Sequence, residues 1–156
     1  MFAVMALAVV FVIVLALFLN AGRQIKLPHA VGDWGAKGND DPRIATAAML
    51  YSVAREQGPV TDAQTSQIIL LLTGTLRLEP EAARVCLAGG QRLARRLDGN
   101  LNSRLHQLRA PIERVCSAEE KQDVVDMLRA VAGRDLERTP SIREAVGRIA
   151  ASLLHG

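Results

Sequence analysis

Aromatic residues are scarce: three Phe, one Tyr and one Trp in 156 residues. With no aromatic side chains among its basic residues, the chain lacks the stacking platform of a single-strand nucleic-acid binder. A net charge of +3 is too small to argue for nucleic acid by itself, so none is expected as a partner. The two cysteines, Cys86 and Cys116, form no C-x-x-C pair and have no histidine at ligand spacing, which leaves a zinc site unsupported. Set among Val85, Leu87 and Val115, they read as small buried hydrophobes in a reducing compartment; a disulfide would require an oxidising one. His29, His106 and His155 fall in a linker, an arginine-rich helix and the C-terminus, and are expected in solvent. There is no G-x-G-x-x-G, phosphate loop, H-E-x-x-H or nucleophile elbow, and no acid–base pair that invites a pocket. No catalytic residue, cofactor or enzymatic activity is expected. β-branched runs are also sparse beyond the N-terminus, while Leu, Ala and Arg are frequent, so an all-α fold is predicted.

What the chain does have begins at once. Phe2 to Leu19 is apolar without Gly, Pro or charge. Eighteen residues at helical rise span about 27 Å, close to the hydrocarbon core of a bilayer. Thirteen of them are Leu, Ile, Val or Phe, giving roughly −4 to −8 kcal/mol for insertion with nothing polar opposed. A cleaved signal peptide would have a basic start, a shorter apolar run and a small-x-small site. Here no Lys or Arg precedes the run, and Leu19-Asn20-Ala21 is a poor site. Residues 1–20 are therefore read as a transmembrane anchor that uses residues 2–19 to meet the bilayer. Arg23 and Lys26 follow directly, which predicts N-terminus out and the body in the cytoplasm of a bacterial inner membrane. Ala3, Ala6, Ala8 and Ala16 would let two spans approach, leaving a homodimer open. Residues 21–41, with Pro28, Gly32, Gly35, Gly38 and Asn39, read as a flexible linker. Its Trp34 is placed either at the headgroups or on the domain.

Residues 42–156 carry helical periodicity throughout. Asp41-Pro42 is an N-cap followed by proline at N1. Ile44, Ala47, Ala48, Tyr51 and Ala54 form one apolar face of the first helix. Gly58-Pro59 breaks it, and Thr61-x-x-Gln64 is a capping box that opens a second. The run Ile68–Leu72 is apolar all round, as expected of a helix buried on most sides. Glu79-Pro80 starts a third helix, with Ala82, Cys86, Leu93 and Leu97 on one face; Gly89-Gly90 predicts a kink or a close crossing. Leu101, Leu105 and Leu108 mark a short helix ending near Pro111. Ser117-x-x-Glu120 caps a helix with Val124, Val125, Leu128, Val131 and Ala132 inward. After a loop through Asp135, Thr139-Pro140 begins the last helix, whose stripe is Ile142, Ala145, Val146, Ile149, Ala150, Leu153 and Leu154. Its outer side is Arg143, Glu144, Arg148 and His155.

Two stretches echo each other at a spacing of 78: Met49-Leu50, Val53-Ala54 and Thr61 against Met127-Leu128, Val131-Ala132 and Thr139. A helix pair at each end of a domain predicts a pseudo-symmetric bundle of about five to seven helices. With the helix Ala47 to Gln57, the turn Gly58-Pro59-Val60-Thr61, the helix to Leu76 and the second pair Val124 to Leu154, the chain resembles the TerB-like helical domain family. That family takes its name from tellurite-resistance proteins and also supplies the domain behind the membrane anchor of DjlA-type DnaJ co-chaperones. The resemblance implies a pseudo-symmetric TerB-like fold over about 110 residues, and the layout of one span before the domain is similar as well.

The family's polar signature is Asp-Gly followed by a Glu seven residues after the Asp, acids that would hold a hard cation through oxygen. Here the positions are Gln57, Gly58 and Gln64 in the first half, and Asp135, Leu136 and Ile142 in the second, with Glu144 available only through a two-residue shift. One surviving carboxylate makes no competitive calcium or magnesium site, so no metal is expected, and Gln64 is left its role as a cap. The J-domain triplet His-Pro-Asp is missing too: the chain has Pro28-His29-Ala30, and these residues alone are not expected to stimulate an Hsp70. One charge feature remains. Arg92, Arg95, Arg96, Arg104, Arg109 and Arg114 stand against only Asp98 and Glu113. They read as a solvated face, or as a patch that meets an anionic leaflet or an acidic partner. The functional expectation is a membrane-anchored interaction or regulatory module with an unidentified protein partner, tied to envelope stress or membrane-complex assembly. The alternatives are the anchor and regulatory portion of a DjlA-like DnaJ co-chaperone system and a metal-responsive tellurite- or stress-resistance protein.

Overall fold

A computed structural model describes residues 40–156; the apolar run 2–19, His29 and Trp34 lie outside the described residues. Among those described there are seven helices and no strand: α1 Pro42–Glu56, α2 Asp62–Thr75, α3 Pro80–Arg96, α4 Leu101–Val115, α5 Ala118–Ala132, α6 Asp135–Arg138 and α7 Pro140–His155. No helix among them is long and apolar enough to cross a membrane.

The starts are written in the sequence. Asp41 caps α1, its carboxylate accepting from the Arg43 N–H at 2.8 Å. Thr61 with Gln64, and Ser117 with Glu120, form reciprocal capping boxes on α2 and α5, and Asn100 caps α4. Each such cap contributes about 1 kcal/mol. α3 and α7 begin on a proline with no side-chain cap.

α1 is the centre of the bundle. Every residue from Ile44 to Ala54 is buried, so the single apolar face expected of this helix is in fact its whole circumference. Small side chains make this possible. Ala45, Ala47, Ala48 and Ala54 add little girth, and α3, α4 and α5 all close on α1. α3 comes nearest. A Cβ built on Gly90 would lie 2.7 Å from the Ala48 nitrogen and 2.8 Å from the Ala47 carbonyl carbon. The glycine pair is therefore a close crossing, and Gly90 is the contact.

Four other expectations are corrected by this arrangement. α2, apolar all round, buries only Ile68 and Leu72, and Leu70 is 71% exposed. It lies at the edge of the bundle, against α3 and α5, because the enclosed place belongs to the slimmer α1. α3 turns Ala83, Cys86, Leu87, Gly90 and Ala94 inward, with Ala82, Leu93 and Leu97 only half-buried. A close crossing selects small residues, whereas periodicity weighted by size selects large ones. α4 does not stop at Pro111 but runs on to Val115. Burial of Pro111 and Ile112 offsets a penalty of about 3 kcal/mol for proline inside a helix. The loop through Asp135 also contains a turn of helix, α6.

Direction follows from pairs of contacts. The Cys86 thiol donates to the Arg43 carbonyl at 3.2 Å, and Gly89 and Gly90 meet Ile44 and Ala47–Ala48, so α3 runs along α1 in the same sense. α4 runs against it: Arg104 reaches Glu56 at one end, and Arg114 reaches Asp40 at the other. α7 closes the far side on α4 and α5 with Ile142, Ala145, Val146, Ile149, Ala150 and Leu153 buried, the expected stripe with Leu154 at its half-buried margin. Four of the five pairs that echo at a spacing of 78 share an environment, with Met49, Leu50, Val53, Ala54 and their counterparts Met127, Leu128, Val131 and Ala132 all buried. The fifth does not, since Thr61 caps its helix through its side chain and Thr139 makes no such bond.

Candidate functional site

The polar positions singled out in the first half come together at the α1–α2 turn. Gln64 closes the α2 capping box, its Oε1 accepting from the Thr61 N–H at 3.0 Å. Its amide donates to the Gln57 Oε1 at 2.9 Å. The Gln57 amide in turn donates to the Val131 and Ala132 carbonyls at 3.2 and 3.4 Å. Gln67 donates to the Ala130 carbonyl at 3.0 Å, and Gly133, at φ +53, supplies an N–H to the Arg129 carbonyl. The last four carbonyls of α5, which a helix end leaves without partners, are thus all occupied, three of them by glutamine amides from the first hairpin. A carboxylate at position 57 would have no N–H to give those carbonyls. The junction ties the two halves of the bundle together.

Asp135 and Glu144 are not part of this network. Asp135 opens α6, its backbone carbonyl accepting from the Thr139 N–H. Glu144 is exposed and pairs with Arg148 one turn on. Among the described residues no three His, Cys, Asp or Glu side chains are grouped to hold a metal ion.

The six arginines divide by helix. Those on α4 are braces. Arg104, its side chain only 11% exposed, pairs with Glu56 at 2.7 Å. Arg109 donates to the Ser152 Oγ at 2.8 Å, which itself donates to Glu113 at 3.2 Å, tying α4 to α7. Arg114 meets Asp40 at 2.7 Å. Arg92, Arg95 and Arg96, on α3, are exposed and make no ion pair among the described residues.

A shallow cleft lies where α1 begins, lined by Pro42, Arg43, Thr46, Leu76, Cys116, Glu120 and Val124. Its volume is about 10 Å³, room for about one water. Burial alone would push the Asp41 carboxyl up, but hydrogen bonds from the Arg43 side chain and backbone outweigh it and hold it below its ordinary value. Burial pushes the Cys86 thiol up to about 12 and the Cys116 thiol to about 11. Neither thiol is a ready nucleophile.

A family model described as "Tellurite resistance protein TerB" matches residues 43–154. The chain belongs to the TerB family. The matched span takes in all seven helices but for the first residue of α1 and the last of α7. No individual curated protein and no solved structure matches significantly. Within this TerB domain Gln57 and Gln64 are neighbours as their spacing implied, and they are spent on helix ends. Gln67, Glu56, Ser152 and Asp40 escaped the sequence reading. Only Gln67 left a trace there, as a polar residue beside the apolar run of α2 and three positions after Gln64. The others act across 39 to 74 residues of chain, beyond the reach of any local pattern.

Proposed function

We propose that this TerB-family chain is a single-pass protein of the bacterial inner membrane whose helical body works in the cytoplasm as a docking or regulatory module and not as an enzyme. Its setting in this reading is envelope stress or the assembly of a membrane complex. The observation that carries the proposal is one pairing. An 18-residue apolar run free of charge, Phe2–Leu19, precedes a domain whose polar junction is closed on its own carbonyls. Arg23 and Lys26 just after the run support the cytoplasmic placement. Alkaline extraction together with protease accessibility tests it. The chain is expected to stay in the membrane pellet, with the domain digested in inverted vesicles and protected in spheroplasts. Mature protein lacking its first twenty residues, free in the periplasm, would overturn the reading.

The layout of a span followed by a TerB domain with the turn Gly58-Pro59-Val60-Thr61 favours a second reading, the anchoring portion of a DnaJ-type co-chaperone. A J domain encoded in the same frame or next door decides for it. A metal-responsive tellurite- or stress-resistance role, which rests on the acidic signature of the family resemblance, meets neutral amides at Gln57 and Gln64. Calcium titration that leaves the melting temperature unchanged removes it.

A further inference from the structure

On α3 the buried residues Ala83, Cys86, Leu87, Gly90 and Ala94 face α1 and its neighbours. At 100° per residue the opposite side carries Glu81, Arg84, Val85, Ala88, Arg92, Arg95 and Arg96. From Arg84 to Arg96 the helix has four arginines and no acid, a strip roughly 18 Å long. Arg84 is 61% exposed and shares the first turn with Glu81 at 3.2 Å. Arg92, Arg95 and Arg96 have no ion pair among the described residues. The adjoining helix does not neutralise them, since α2 has no charged side chain after Asp62. The acids nearest in sequence are Glu81, which is spent on Arg84 at the head of the helix, and Asp98 beyond its other end. Val85, 43% exposed, sits within the strip, and Leu70, 71% exposed, on the neighbouring α2. A solvated helix face ordinarily mixes both signs of charge. Past the Glu81–Arg84 pair this one combines a single sign with exposed apolar side chains, the composition of a surface that rests at a lipid headgroup layer.

We infer that the outer face of α3 is a docking surface for an anionic phospholipid bilayer, with Arg84, Arg92, Arg95 and Arg96 on the phosphates and Val85 toward the acyl boundary. The inference rests on the proposed anchoring for the source of the bilayer. Guanidinium forks fit phosphodiester oxygens in pairs. The chain length permits the contact: about twenty residues separate the apolar run from α1, a contour of up to about 70 Å, ample to lay the domain on its side. Docking would hold α1's partner helices at the membrane plane and place α7 and its charged outer side, Arg143, Glu144 and Arg148, away from the lipid.

The test uses the full chain in vesicles of phosphatidylcholine, alone or mixed with phosphatidylglycerol. An environment-sensitive fluorophore is carried by an Ala88→Cys substitution in a Cys116→Ser background. The expected result is a blue shift with the mixed vesicles only, reversed by high salt. The triple substitution Arg92→Glu, Arg95→Glu, Arg96→Glu weakens docking on the order of 100-fold, at about fivefold per arginine before any repulsion is added. Its circular-dichroism melt stays at the parent value; the Arg→Gln triple repeats the test should the charge reversal unfold the domain. Equal response to neutral and mixed vesicles overturns the inference. So does a shift with soluble polyglutamate but not with vesicles, which assigns the strip to an acidic protein. Flotation after alkaline extraction reads the anchor separately. A chain that floats with a silent fluorophore sinks this surface and leaves the anchor standing. A chain that does not float but still shifts on anionic vesicles does the reverse.

Discussion

Replacing Gly90 with alanine tests the central crossing of the fold. In an exposed helix the substitution stabilises by about 1 kcal/mol, because glycine loses more backbone freedom on folding. At Gly90 the added Cβ would stand 2.7 Å from the Ala48 nitrogen and 2.8 Å from both the carbonyl carbon and the Cβ of Ala47. Two of these are backbone atoms of a helix buried from Ile44 to Ala54, so no side chain can swing aside. Ordinary contact is restored only if α3 and α1 separate by roughly 1 Å along the whole crossing, and overpacking of this kind costs about 1–3 kcal/mol. With the propensity gain set against the upper part of that range, Gly90→Ala is expected to destabilise by about 1–2 kcal/mol, lowering the melting temperature by roughly 4–8 °C. Two controls carry the opposite sign. At Gly89 a Cβ meets only the Ile44 side chain at 3.4 Å, and at Gly147 it meets nothing within 4 Å; both alanine variants are expected to gain about 0.5–1 kcal/mol. Thermal and urea melts of the three variants decide the matter. If Gly90→Ala melts at or above the parent while the controls behave, α1 and α3 do not cross where described.

Gln57→Glu removes the N–H donor from the Val131 and Ala132 carbonyls and sets a negative charge at the C-terminal end of α5, so urea melts are expected to show a loss of about 1–3 kcal/mol. The Ser52 hydroxyl is buried with no hydrogen-bond partner among the described residues; Ser52→Ala is therefore expected to raise stability by about 1 kcal/mol, and a drop in the melting temperature would show that the hydroxyl is satisfied. Because the Asp41 carboxyl titrates below its unfolded value of 3.8, its contribution is fully present above that pH and fades as pH falls through the lower folded value. Asp41→Asn should accordingly flatten the acid side of the stability profile near and below pH 4, and an unchanged profile refutes the pairing with Arg43. With both thiols shifted up by burial, the native protein at pH 8 is expected to react slowly with a disulfide reagent, Cys116 before Cys86; fast labelling of Cys86 would contradict its place against α1.

Much of the candidate junction was legible because helix ends are local events. Thr61 and Gln64 lie three residues apart, and their capping box needs nothing from the rest of the chain. The other end of the junction was not legible. That Gln57 and Gln67 serve the α5 carbonyls depends on an approach across 63 to 75 residues, and no amide side chain announces its acceptor. The arginines show the same limit. Six were grouped by their density along the chain, yet helix phase and long-range acids commit Arg104, Arg109 and Arg114 to bracing and leave the α3 three in solvent.

The chain by itself determined six of the seven described helices, the Asp41, Thr61 and Ser117 caps, its TerB membership and the close approach near Gly89-Gly90. These depend on backbone hydrogen bonds and periodicity that each segment carries alone. Only the tertiary structure decided which helix sits at the centre. Hydrophobicity nominated α2, with its run Ile68–Leu72, but enclosure on every side depends on volume, and the alanine-rich α1 was the one slim enough for three neighbours to reach.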